Sequence, residues 1–202
     1  MNNSPTLDIP DDATRAASET DTLLTVDPTS ITDGLDREFQ DAEELAKNWK
    51  SDAVLYAHTV SFPSNLARGE SKRVYVFGSP TTLSDWWTVT VNEQTGERIR
   101  AQIPKEDYLG AALPPAPVEF WKINSLQALQ IADAAGGKTF RTENPGAEIT
   151  ASLTRQGPND WLWWVVTYRG LNNKTTSVRI QPATGELYDE SGQLVPVSES
   201  AN

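Results

Sequence analysis

The chain has 202 residues, no cysteine, one histidine and a formal net charge of -11. Without cysteine there are no disulfides, thiolate chemistry or cysteine-based zinc sites, and no basic patch suits nucleic acid or anionic lipid. No apolar run approaches the ~18 residues that cross a bilayer.

The charge is unevenly placed. Residues 1–44 hold 12 acidic and 2 basic side chains, whereas the rest hold 16 against 15. Residues 1–35, with Pro5, Pro10, Pro28 and few large apolar groups, read as a disordered acidic leader, because such a segment cannot bury enough surface to offset its ordering entropy. Leu23-Leu24-Thr25-Val26 is its single apolar cluster. Met1-Asn2-Asn3-Ser4-Pro5 has neither the basic region nor the apolar core of an export signal, so a signal or an upstream tether is expected outside this sequence.

A first unit is expected over 36–110. Phe39, Ala42, Leu45, Ala46 and Trp49 recur at helical spacing. Strands follow at 53–62, where alternation puts Val54, Tyr56, His58, Val60 and Phe62 on one face, then at 72–79 and 86–92. Residues 111–122, with Pro114-Pro115-Ala116-Pro117, read as a stiff extended connector. A second unit is expected over 123–195, before a tail at 196–202. Asn124 with Gln127 makes a capping box, Leu126, Leu129, Ala132 and Ala135 supply the helical stripe, and Gly136-Gly137 is expected to stop that helix. Strands are expected at 147–155, 161–169 and 175–181.

The two halves repeat one pattern. Each closes on a Thr-Gly-Glu turn, at Thr95-Gly96-Glu97 and at Thr184-Gly185-Glu186, 89 positions apart. Repetition of this kind sets an architecture before any residue is read for chemistry. The fold class expected is α+β, as two tandem units, each a helix packed on a three-stranded antiparallel sheet and ending in a short returning segment.

The second half resembles the PepSY domain through Ala128-Leu129-Gln130-Ile131-Ala132, the strand Trp161 to Tyr168, and Val178-Arg179-Ile180-Gln181-Pro182-Ala183-Thr184-Gly185-Glu186. The first half is similar through Glu44-Leu45-Ala46, Trp87 to Val91 and Asn92 to Glu97. This resemblance implies an extracytoplasmic, cystatin-like module of the cell envelope or secreted space that binds or restrains other proteins, peptidases among them. It carries over no catalytic residue. No peptidase domain follows the repeats here, which departs from the propeptide context of many relatives.

Seven tryptophans are the other signal. In 161–169 both faces are apolar, Trp161, Trp163 and Val165 on one and Leu162, Trp164, Val166 and Tyr168 on the other, whereas a strand with a wet face alternates with polar residues. Its outer side therefore needs cover from the sister unit, another chain or a ligand. Trp161, Trp163, Trp164, Trp86 and Trp87 are the partner-binding candidates.

His58 reads as a satisfied, half-buried imidazole on the face of Tyr56 and Val60. One histidine without cysteine cannot build a multi-histidine zinc site, and no nucleophile motif accompanies it. Asp11-Asp12, Glu43-Glu44, Glu106-Asp107 and Asp189-Glu190 read as solvated charge, since glycoside hydrolysis needs two carboxylates facing across a cleft. No cofactor or metal is implied.

The function expected is non-enzymatic: an accessory module that offers an aromatic sheet face or strand edge to a protein partner. A structural subunit of a larger assembly or oligomer is the second reading, and a glycan-binding module using exposed tryptophan the third.

Overall fold

The computed structural model describes residues 32–67, 69–82, 84–107, 113–171 and 173–195, with the backbone alone at 32–37 and 158. Residues 1–31 of the expected leader and the tail 196–202 lie outside the described residues.

In chain order the elements are α1 (Thr32–Trp49), β1 (Val54–Phe62), β2 (Lys72–Gly78), β3 (Asp85–Asn92), β4 (Arg98–Pro104), α2 (Ser125–Ala132), α3 (Lys138–Glu143), β5 (Glu148–Thr154), β6 (Trp163–Arg169), β7 (Thr175–Ile180) and β8 (Leu187–Tyr188). Helix α1 thus begins inside the stretch expected to be leader. The eight strands form one antiparallel sheet in the order β4-β3-β2-β1-β5-β6-β7-β8.

That sheet overturns the expected fold class of two tandem helix-plus-three-strand units. The reason lies at the seam. β1 and β5 pair antiparallel from Ala57↔Thr154 to Phe62↔Ile149, so the inner edges that separate units would leave open satisfy each other. Their side chains match across it. Val60 faces Ala151 and Phe62 faces Ile149 on the apolar side, while Thr59 and Ser152 share a 3.3 Å hydroxyl hydrogen bond on the other. The returning segments after the two Thr-Gly turns are further strands of the sheet, the seven-residue β4 and the short β8.

Both helical regions cover the same face of the sheet. α1 lies over β1–β3 with the small residues Ala42 and Ala46 buried, which lets the helix approach closely, and with Phe39, Leu45 and Trp49 packed beside them. α2 starts at the expected capping box, Asn124 accepting from the Gln127 amide and Gln127 from the Asn124 amide. It does not stop at Gly136-Gly137 as expected. The chain widens into one π-helical turn, Asp133–Gly137, with Gly136 at φ 114°, and resumes as α3. Glycine accepts that positive φ cheaply. The only long helix described is α1.

A bulge revises one strand face. Leu55 pairs with Phe77 and Ala57 with Val76, so Tyr56 is the extra residue. Beyond it the alternation inverts: His58, Val60 and Phe62 face the helices, whereas Val54 and Tyr56 belong to the opposite side with Val76 and Trp86. That opposite side is wet at its centre, where Thr59, Ser152, Thr150 and Thr167 are half-buried, and aromatic at one end.

Candidate functional site

Three segments meet at the end of the sheet where β1 and β6 begin and β5 and β7 finish. The first is the connector. The Ala116 amide donates to the Leu55 carbonyl at 2.8 Å, and the Lys122 and Ile123 amides both donate to the Pro182 carbonyl. Ile123 in turn accepts two indole N–H groups on its carbonyl, from Trp121 at 3.0 Å and Trp164 at 2.7 Å. These bonds pin the connector, and they leave Phe120 standing 53 % exposed.

The second is the β5–β6 loop. Gly157, Asn159 and Asp160 all take positive φ, folding the chain into the short 3₁₀ turn Pro158–Asp160 ahead of the strand. Arg155 fastens that turn, its Nε donating to the Asp160 carbonyl at 2.9 Å and its guanidinium pairing with the Asp160 carboxylate. β6 therefore starts at Trp163, and Trp161, expected inside the strand, stands before it.

The third is the β7–β8 turn. Gln181 Oε1 accepts from the Ala183 and Thr184 amides, each at 2.8 Å, and from the Thr184 hydroxyl at 3.2 Å. Between the three lies a groove of about 440 Å³, with Trp161, Phe120, Leu162 and Pro117 as its apolar lining and Arg155, Asp160 and Gln181 as its polar lining.

The five tryptophans singled out in the sequence part company here. Trp161 is 44 % exposed and lines the groove. Trp163 is fully buried on the side away from the helices, boxed by Trp161, Tyr188 and the Arg179 guanidinium. Trp164 is fully buried on the helix side. Trp86 is buried under Tyr56 and Lys105, whose ammonium sits 4.4 Å from the indole. Trp87 stacks on Trp49 of α1 at 5.6 Å, with its Nε1 buried and unpartnered. The cover expected from a sister unit, another chain or a ligand is supplied by this chain's own loops and helix, so only Trp161 keeps a free indole face.

His58 is 2 % exposed. Its ring stacks on Tyr75 at 4.2 Å and touches Trp121 and Trp164. Burial pushes the imidazole down to about 3, against the Val74 carbonyl that would raise it, and with Arg73 adding to the fall. It is neutral throughout the physiological range. Among the described residues no three His, Cys, Asp or Glu side chains gather as a metal site. The acidic pairs lie apart: Glu43 bridges to Lys47 at 2.9 Å, and Asp189 is held below the usual carboxylate range by hydrogen bonds from Gln193 and Ser191.

Pro117, Phe120, Arg155 and Gln181 were not recognised as site residues from the sequence. The cluster Gly157-Pro158-Asn159-Asp160 was the available signal, since it marks a turn that delays the strand and frees Trp161. No family model, curated protein or solved structure matches this chain.

Proposed function

We propose that the chain is a non-enzymatic binding module that holds an extended segment of a protein partner in the groove beneath Trp161 and Phe120. One observation carries the reading: the one singled-out indole left free faces an exposed phenylalanine across an apolar trough built by three loops on a rigid sheet. Loops held by such a scaffold are where binding surfaces concentrate, and aromatic anchors in a trough dominate peptide affinity.

The state of the polar groups favours a peptide over a sugar. A glycan needs free donors and acceptors around the stacking ring. Here Arg155 and Asp160 are spent on each other, and the Gln181 carbonyl oxygen is spent on its own turn. The Arg155 N–H groups and the Gln181 amide N–H left over are few, and most of the lining on offer is apolar, which suits proline and large apolar side chains. A location outside the cytoplasm, in line with the PepSY resemblance, belongs to the same proposal, with a peptidase or other envelope protein as the partner's source.

Selection of a random-peptide phage library on the full chain tests this. Enriched peptides that bind the native chain and lose at least tenfold in affinity to both Trp161→Ala and Phe120→Ala support it. Peptides indifferent to both substitutions, or no enrichment at all, reject it. Concentration-dependent self-association abolished by the same substitutions would favour the assembly-subunit reading instead.

A further inference from the structure

We propose that a second, separate chamber, between α1, β2 and the start of α2, binds a primary ammonium group. The chamber is about 250 Å³ and lies on the helix side of the sheet. Its walls include Glu38 from α1, His58, Arg73 and Tyr75 from the sheet, Glu93 from the β3–β4 turn, and Trp121 ahead of α2. It shares no residue with the groove under Trp161, and the proposal stands independently of it.

The imidazole sets the chemistry. His58 Nδ1 lies 3.2 Å from the Val74 carbonyl, an acceptor only, so Nδ1 carries the hydrogen and Nε2 presents a lone pair. Nε2 has no partner among the described residues, yet it is not sealed off as a buried orphan, so it opens into the chamber. A side chain 2 % exposed with an unused acceptor aimed into a cavity calls for a hydrogen-bond donor.

Charge narrows the donor. Arg73 is consumed by the two carboxylates, one nitrogen paired with Glu38 and the other with Glu93 at 2.5 Å, and Glu93 also takes the Ser71 hydroxyl. Two carboxylates against one guanidinium leave the wall one unit negative, and Glu38 Oε1 has no partner among the described residues. The first turn of α2 opposes this with about half a positive charge, which does not cancel it. Tyr75 and Trp121 supply aromatic wall beside the imidazole, suited to the alkyl stem that carries an ammonium. A metal ion fits poorly, since these side chains do not gather as a ligand set. A quaternary ammonium lacks the N–H that Nε2 requires. A protonated primary amine, whether on a small molecule or on a lysine side chain, answers both.

The single histidine gives a clean test. The full chain labelled with ¹⁵N-histidine shows one imidazole, and its Nε2 resonance is followed during titration with n-butylammonium chloride at constant ionic strength. Parallel titrations use tetramethylammonium, n-butanol, sodium butyrate and Nα-acetyl-lysine amide. A saturable Nε2 shift with butylammonium, at least fivefold weaker in Glu38→Gln and absent with tetramethylammonium, n-butanol and butyrate, supports the proposal. If acetyl-lysine amide reproduces it, the chamber takes lysine side chains; if only butylammonium does, it takes free amines. An Nε2 resonance that stays put, that moves equally with tetramethylammonium, n-butanol or butyrate, or that ignores Glu38→Gln overturns it.

Discussion

The Tyr168 hydroxyl donates to the Asp133 carboxylate at 2.8 Å, under the widened turn that joins α2 to α3. Arg141 closes the group, its Nη2 lying 2.5 Å from the other carboxylate oxygen. A Cβ added at Gly137 would fall 2.2 Å from the phenolic oxygen, so the glycine is there to let the tyrosine reach the aspartate.

Gly137→Ala is expected to cost about 2–3 kcal/mol by overpacking a rigid ring. Tyr168→Phe should cost about 1–2 kcal/mol by removing one bond to a buried carboxylate. Burial and the neighbouring Asp133 raise the Tyr168 phenol above its ordinary 10.0. A raised value means stability fully present below pH 10 and lost as pH climbs beyond it. Urea unfolding of the native chain should therefore weaken above pH 10, and less steeply in Tyr168→Phe; equal slopes would contradict the assignment.

His58 should make the fold acid-sensitive in an unusual window. Its folded value, about 3, lies below the ordinary 6.5, so the unfolded chain binds the proton first. Stability is then fully present above pH 6.5 and declines as pH falls towards 3, by at most about 1.4 kcal/mol per pH unit. Between pH 6.5 and 5.5 few carboxylates titrate, which isolates the imidazole. His58→Phe should flatten the stability curve there, and an unchanged slope would show that the imidazole does not drive it.

Trp161→Ala and Phe120→Ala are expected to change stability by about 1 kcal/mol or less, since the two side chains are 44 % and 53 % exposed. Trp163→Ala, two residues on, should cost about 3–5 kcal/mol through the cavity it opens. Denaturation midpoints of the three variants test the division. A Trp161 variant as damaged as the Trp163 variant would mean that Trp161 is a packing residue.

Because one sheet and one helix-side core run through both halves, unfolding should be a single cooperative step. Circular dichroism and tryptophan fluorescence should give coincident transitions in urea. Ala151→Pro, at the seam strand β5, should lower stability by about 3 kcal/mol or more for the whole chain. Two separated transitions in the native chain would show that the halves fold apart.

Local patterns were legible in the residues. Alternation located β1, β2, β3, β5 and β7 to within a residue or two, because the period of a strand is written in its own side chains. The Asn124–Gln127 cap and the glycines of the two Thr-Gly turns, at φ 67° and 80°, were equally local. His58 was read as a satisfied, half-buried imidazole; it is fully buried, one ring nitrogen has no partner among the described residues, and the bulge at Tyr56 gives it different neighbours. A bulge depends on the partner strand's register, which no single segment records.

By itself, then, the sequence determined which stretches extend or coil, where they turn, and that both faces of 161–169 need cover. Only the tertiary structure decided that β1 pairs with β5 to make one sheet, that three of the five chosen indoles lie wholly inside the chain, and that Trp161 stays free beside Phe120. Periodicity and capping act over a few residues. The β1–β5 seam joins positions 87 to 97 apart and the Trp164 indole reaches Ile123 across 41, and the free energy of such contacts exists only once those positions meet.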